Sequence, residues 1–281
     1  MASSRFKSTL SSTLSSTRSS SSTPVSGAVL HVLRASRLPI LAQLHIEEAL
    51  FRATSNNYLL INDGVESPAI VLGISGKPEA LVHEDRARKL GVPLVKRFTG
   101  GGTVVVDEDS IMATVIVGGG ASGFGLDCFP RQIMEWTHGL LTGGRNAFSL
   151  RENDFTIGSR KIGGNAQAIS GDKFLQHTSF LWDYQDDRMA LLKAPEKQPA
   201  YRERREHGGF VERLKQTMPD AENGRKRFVD GLVDNCTQGA AWSDVVDVGM
   251  EDVLCVLRRY QEGNALPGRQ VLLASRLMGV T

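Results

Sequence analysis

Two stretches of this chain gather cations, carboxylates and glycines close together. One is Lys96-Arg97-Phe98-Thr99-Gly100-Gly101-Gly102, closed by Asp107; the other is Asn153-Asp154 followed by Lys161-Ile162-Gly163-Gly164-Asn165-Ala166-Gln167. In the first, three consecutive glycines follow an apolar run carrying two cations. Lacking Cβ atoms, Gly100, Gly101 and Gly102 can bring backbone N–H groups close to a phosphate or a buried acyl chain. A strand, not a helix, is expected after the loop, so no helix dipole contributes and Lys96 and Arg97 must supply the positive charge. A glycine-lined bulge in a hairpin fits the same residues. In the second stretch, Asn153-Asp154 is expected on a strand, and Arg160-Lys161 just past a two-residue turn, Gly158-Ser159. A lysine on a glycine-bordered strand could reach into a cleft and neutralise charge developing on an acyl phosphate. Asp154 could hold Mg2+, which usually takes one or two carboxylates plus substrate phosphates. The plainer alternative is a hairpin with a solvated Arg-Lys tip.

Hydrophobic periodicity predicts the secondary structure that carries these two stretches. Leu41, Leu44, Ala49, Leu50 and Ala53 recur at helical spacing after Pro39, which predicts an amphipathic helix over 40–54. Residues 58–61 and 69–74 read as strands, and the Asp63-Gly64 step predicts that they form a hairpin. A second helix is expected over 79–90, stopped by Gly91 and Pro93. Strand, tight loop, strand, turn and strand follow through PLVKRF, the glycines, TVVVD and IMATVIV. Residues 127–141 read as a helix with Pro130 in its first turn. Three strands then run through FSLRENDFTI, KIGGNAQAIS and KFLQHTSFLW, turning at Gly158-Ser159 and Gly171-Asp172. After Pro195 the texture is charged and helical. Hairpin runs of strands with helices before and between them define an α+β class with a mostly antiparallel sheet.

Composition narrows the classes further. At roughly 150 residues per domain, 281 residues allow one large domain or one with a small appendage. A net charge of +2 offers no polycation for nucleic acid, and no run approaches the ~18 apolar residues of a membrane span. Cys128, Cys236 and Cys255 are too few and scattered for a disulfide framework or a zinc knuckle. Sixteen of residues 1–26 are Ser or Thr, and five basic residues but no acidic one precede Glu47. Without an apolar core to this segment, it reads as an organellar transit peptide rather than a secretory signal, a low-complexity tail being the alternative. Residues 1–36 are accordingly expected to be absent from the mature protein, and the location to be the mitochondrial matrix, with the plastid as alternative. Gly118-Gly119-Gly120-Ala121-Ser122-Gly123 matches a dinucleotide fingerprint, but Trp136–Arg151 lacks the acid that would hold a ribose. His45-Ile46-Glu47 lacks the downstream cysteines of a zinc deaminase and reads as helix surface.

Taken together, the two segments resemble the biotin/lipoate protein ligase family, in its lipoate–protein ligase A-like branch. The match runs through Arg97, Gly100, Gly101, Gly102 and Asp107, then Asn153, Asp154, Lys161, Gly164, Ala166 and Gln167. Gln176-His177-Thr178-Ser179 is similar to the family's strand that walls the acyl pocket, although His177 among Phe174, Leu175, Phe180 and Trp182 also reads as a structural histidine. The likeness is greatest to the plant organellar form and extends from about Pro39 to Pro219. The resemblance implies a catalytic domain like those of biotin ligases and class II aminoacyl-tRNA synthetases over 37–219, with a small helical region over 220–281. It implies ATP, Mg2+ and lipoate as cofactors and substrates. The partners it implies are lipoyl domains of 2-oxoacid dehydrogenase E2 subunits or the glycine cleavage H protein. By carry-over Lys161 binds the carbonyl and α-phosphate oxygens, Asn153 and Asp154 orient nucleotide and metal, and Arg97 with Gly100–Gly102 borders the lipoyl tail. Gly164 and His177 complete the substrate contacts. Lys96 and Val106 depart from the arginine and histidine common at those places, and the larger C-terminal domain of bacterial ligases has no counterpart. Two other readings compete: an octanoyltransferase working through a cysteine thioester, and a lipoyl-binding protein without catalysis.

Overall fold

Strand β6 (Ser110–Val117) is buried at all eight of its positions, and this is why its sequence is apolar throughout apart from Ser110 and Thr114 instead of alternating. It sits centrally in an eight-stranded sheet between β2 (Asn57–Asp63) and β10 (Lys173–Leu181). Beyond β10 lie β9 (Arg160–Ser170), β8 (Asp154–Ile157) and β7 (Ser149–Arg151); beyond β2 lie β1 (Val29–Ser36) and β11 (Asp244–Asp247). Only the β11–β1 and β1–β2 pairs are parallel, so the sheet is mostly antiparallel, as expected. A second sheet of three strands sets β3 (Ala69–Leu72) between β4 (Leu94–Lys96) and β5 (Val104–Val106). The structure, a computed structural model, describes residues 27–144, 148–194, 198–218, 223–238 and 241–263.

Period-two alternation assigns each face of the large sheet its own core. Leu30, Leu59, Val115, Phe174 and Phe180 face Ile133 and Leu141 of α4 (Pro130–Thr142) and Phe228 and Cys236 of α8 (Gly224–Gln238). Leu33, Leu60, Ile116 and Leu175 face the other way, onto Ile46 and Leu50 of α1 (Ile40–Ala53) and Val253 and Leu257 of α9 (Met250–Gly263). Helix α1 also turns Ile40 and Leu44 toward Val71 and Val106 of the small sheet, so one helix is wedged between both sheets. The far side of the small sheet is covered by Val82, Ala87, Tyr184 and Val211. These come from the neighbourhood of the short helices α2 (Pro78–Leu81), α3 (Glu84–Lys89), α5 (Asp186–Met189), α6 (His207–Phe210) and α7 (Leu214–Thr217).

Several expectations need correction. The 58–61 and 69–74 strands are not a hairpin: Gly64 (φ +85°) donates to Ser110 and Val65 to Asp107, and these bonds carry the chain from the large sheet to the small one. The helix expected over 79–90 is broken at Val82, which forms a bridge with Leu192, while His83 donates to the Leu191 carbonyl. FSLRENDFTI is two strands, because Glu152 adopts φ +48° and turns the chain back. The glycines at 118–120, set aside as a dinucleotide site, lead into a short 3-10 turn (Ala121–Phe124), and a Cβ on Gly118 would collide with the Asn56 carbonyl.

The leader boundary at 36 also moves. Val29–Ser36 is an interior strand with Leu30 and Val32 fully buried, so a leader can extend no further than the stretch before it; residues 1–26, which prompted that reading, lie outside the described residues. Likewise β11, α8 and α9 pack into the same two cores as the rest of the described chain, so the described residues 223–238 and 241–263 are not a separate unit; 219–222, 239–240 and 264–281 lie outside the described residues. A chain lacking residues 1–36 is therefore expected to lose cooperative thermal unfolding by circular dichroism. The milder Leu30→Ala should remain folded at a cost of about 2–5 kcal/mol in denaturant titrations.

Candidate functional site

The β8–β9 hairpin is irregular at the point where it matters. Thr156 pairs with Lys161 but Phe155 pairs with Gly163, leaving Ile162 as an extra residue on β9. In a regular strand, residues three apart point to opposite faces; this bulge restores Lys161 and Gly164 to the same face. A Cβ built on Gly164 would lie 3.0 Å from Lys161 Nζ and 3.2 Å from its Cε. The missing side chain at Gly164 is thus the bed on which the lysine lies. Its ammonium pairs with Asp154 Oδ1 at 2.8 Å, and the Tyr201 hydroxyl donates to Oδ2 at 2.7 Å. Asp154 is buried and Lys161 half-buried, so the pair is shielded from screening by water. Arg160 points elsewhere, to Glu212 at 3.4 Å.

The glycine loop meets the same strand. Gly100 N donates to the Gln167 carbonyl at 2.9 Å, and Gly101 (φ +115°) rides over Asn165 and Ala166. Arg97 does not reach into open space as expected from its charge. It is buried under the loop and braces it, donating from Nη2 to the carbonyls of Gly102 (2.7 Å) and Gly100 (3.3 Å) and from Nη1 to Val71 O (3.4 Å). Burial pulls its pKa down to about 10, with the attraction of Glu47 opposing. Its Nε has no protein partner. Lys96 is half-buried at the end of β4.

Behind this loop lies a polar cluster that the sequence pattern did not announce. Glu47, expected at the helix surface, is fully buried; it accepts from Gln43 Nε2 (2.8 Å) and Thr114 Oγ1 (2.8 Å) and faces His177 Nδ1 at 2.9 Å. Burial pushes its carboxyl up, but attraction to His177 and these hydrogen bonds outweigh burial and hold it below the ordinary range. A signal was present: Leu44, Glu47 and Phe51 share one helical stripe, so position 47 is a core position filled by an acid. His177 is therefore tied down on one ring nitrogen, on the same face of β10 as Ser179, whose backbone partner is Gly164.

Other signature positions make contacts within the chain. Asp107 is buried, caps its own turn through Asp109 N (3.0 Å) and pairs with Arg188 at 3.0 Å, so it shapes the β5–β6 connection. Asn153 is exposed in the β7–β8 turn and not on a strand; its carbonyl accepts from Asn165 Nδ2 at 2.9 Å. Gln167 donates to Pro130 O at 2.9 Å, fixing the start of α4. Val106, fully buried, fills the core beneath α1. Gly73 gave no sign of its importance in the sequence: any Cβ there would strike the Gly101 carbonyl. Among the described residues no three His, Cys, Asp or Glu gather as a metal cluster, and both Asp154 oxygens are engaged by protein donors. Two open surface concavities, of about 370 and 630 Å3, lie around His83 and Lys193 and hold none of these groups.

A family model described as the lipoyl protein ligase A/B catalytic domain matches residues 39–233. The chain belongs to that family. The inactive lipoate–protein ligase 2 of Plasmodium falciparum (isolate 3D7) is 25% identical, across 78% of this chain and 72% of that protein. A chain from the Thermoplasma acidophilum lipoylation system, comprising a bi-partite lipoate protein ligase and its E2 lipoyl domain, superposes with a TM-score of 0.65. Its identity is 18%, over 90% of this chain and 97% of that one. Lipoate-protein ligase A bound with ATP gives 0.63 at 17% identity, over 90% and 99%. These solved structures establish the fold, which is that of the lipoate ligases.

The geometry separates the glycines. A Cβ on Gly101 would lie 2.7 Å from Arg97 Nη2 and 2.9 Å from Asn165 O in a left-handed backbone conformation, whereas one on Gly102 would meet nothing within 4 Å. Gly101→Ala is expected to lower stability by about 1–3 kcal/mol in denaturant melts, and Gly102→Ala by no more than about 1 kcal/mol.

Proposed function

We propose that this chain is a lipoate–protein ligase that activates lipoate with ATP and passes the lipoyl group to a lysine of a lipoyl domain. The observation that carries the reading is the Lys161 ammonium, laid over Gly164 and paired with Asp154, on the strand that the glycine loop crosses at Asn165 to Gln167. Adenylation makes a mixed anhydride: a lipoate oxygen attacks the α-phosphorus of ATP and pyrophosphate leaves. An acceptor ε-amine then attacks the carbonyl and AMP leaves. Both steps build negative charge on oxygens that repel the incoming group, and a fixed cation beside them lowers that cost. Lys161 is such a cation, using one of its three donors on Asp154 and keeping two for substrate oxygens. Gly100–Gly102, stiffened by Arg97, and the wall bearing His177 border the acyl side. Mg2+ would enter with the nucleotide phosphates, Asp154 being the carboxylate beside Lys161, and it would neutralise phosphate charge.

The acceptors we propose are E2 lipoyl domains or the H protein of glycine cleavage; the archaeal relative supports the first, since its system pairs ligase and E2 lipoyl domain. We also propose an organellar location, mitochondrial matrix before plastid, and kinship with the plant organellar ligases. Leader removal would have to end before β1, which N-terminal sequencing from purified organelles would reveal.

The transferase reading loses support from the thiols. Cys236 is buried in the α4–α8 core and burial pushes its thiol far up; burial and the carboxylates of Asp172 and Asp127 also raise Cys128. An activated nucleophile needs the opposite environment. The non-catalytic reading has one specific support, the relative named as inactive. Mass spectrometry of an apo lipoyl domain incubated with the chain, ATP, Mg2+ and lipoate, each omitted in turn, decides between them.

Two expectations follow from the ligase reading. Lys161→Ala should slow lipoyl-adenylate formation about 10²–10³-fold, with Lys161→Arg a poor substitute and Arg160→Ala near wild type in the same assay. Replacing Cys128, Cys236 and Cys255 together by Ser should leave lipoyl transfer largely intact; collapse of transfer in a folded triple variant would favour a thioester relay.

A further inference from the structure

Residues 198–213 cross the β8–β9 hairpin as a strap and touch it on both sides of the Lys161–Asp154 pair. At one end Ala200 N donates to Glu152 Oε1 (2.6 Å) and the Tyr201 hydroxyl to Asp154 Oδ2 (2.7 Å). At the other, Glu212 N donates to the Lys161 carbonyl (2.8 Å) beside a parallel bridge between Lys161 and Val211. Arg205 ties the two, donating from Nη2 to Ser159 O (3.0 Å) in the hairpin turn and to Tyr201 O (2.7 Å). The strap holds its own shape by stacking: the Tyr201 ring lies 5.3 Å from Phe210, whose other contacts include the Arg202 guanidinium at 4.8 Å.

From this geometry we propose that Tyr201 is a positioning residue, acting through Asp154 to fix the Lys161 ammonium; the proposal rests on the role given to Lys161 above. A carboxylate held by one partner can swing about its terminal torsion, which is broad and weakly restrained. With Tyr201 on Oδ2, that swing is closed and Oδ1 stays aimed at Nζ. The hydroxyl suits this role because a phenol is an O–H donor, and its hydrogen bond to Oδ2 leaves Oδ1 to the ammonium. Because Tyr201 and Val211 belong to one strap, the side chain and the backbone of Lys161 are held by the same short piece of chain.

Tyr201→Phe removes one hydroxyl and keeps the ring on Phe210. The loss of a hydrogen bond to a charged group corresponds to about a ten- to hundredfold effect. Lipoyl-adenylate formation should fall by that factor in Tyr201→Phe. In a Lys161→Ala background the same change should cost nothing further, whereas a general loosening of the fold would add its effect in both backgrounds. A second measurement needs no activity: the side-chain ammonium signal of Lys161 in proton–nitrogen NMR spectra, assigned by its absence in Lys161→Arg. A held ammonium exchanges slowly enough to be seen; in Tyr201→Phe the signal should broaden or vanish while reference lysines such as Lys173 are unchanged. An unaltered Lys161 signal in Tyr201→Phe, or an equal rate loss in both backgrounds, would overturn the proposal. If the wild-type chain forms no adenylate, the ligase reading falls, and the ammonium signal alone then decides whether Tyr201 positions Lys161.

Discussion

The arrangement of this site depends on one extra residue, Ile162. Without the bulge it makes, Lys161 and Gly164 would point to opposite faces of β9, and the ammonium would hang toward α4 and the apolar core behind it. A single inserted residue converts a surface hairpin tip into a cation lying flat along a strand, with a glycine beneath it and a carboxylate beside it. The bulge survives because neighbours on each side hold it. Ile162 is itself fully buried, and a Cβ on Gly163 would lie only 3.0 Å from the Phe180 ring and 3.1 Å from the Ser179 carbonyl.

Around that strand the protein uses its polar groups in pairs rather than leaving them free. Arg97 looks in the sequence like a charge offered to a substrate; in the fold it is the brace of the glycine loop, with three backbone carbonyls as partners. Asp107 is a turn cap pinned by Arg188. Glycine serves two distinct purposes here. At Gly101 the backbone angle and the closeness of β9 demand it, and at Gly164 the lysine lying over it does.

How much of this was legible in the sequence follows from the range of each interaction. Lys161, Asp154 and the glycines were legible because their spacing is local and their chemistry has few alternative uses. The Asp63-Gly64 turn was legible as a turn, but its destination was not, since partner choice is set by which sheet lies nearby and not by the turn residues. Strand β11 carries only two valines between acids, too little pattern to announce a strand that completes the sheet next to β1. Tyr201 sits in a charged stretch with no periodicity, and its partner is 47 residues away. Glu47 is hard to read in the sequence because an acid ordinarily faces water, although its place on the stripe with Leu44 and Phe51 puts it inside.

That buried acid has a consequence for how the sheet finds its register. Glu47 reaches Thr114 and His177 across 67 and 130 residues of chain, and these two are directly opposed where β6 meets β10. Sliding β10 by one residue would turn His177 to the other face and leave the carboxylate against an apolar neighbour, sealed from water with no ring to answer it. An unpaired carboxylate in that position is among the costliest faults a core can contain. The cluster therefore works as a proofreading device for strand pairing: the alignment of β6 with β10 that sets His177 opposite Thr114 is the alignment in which α1 can dock.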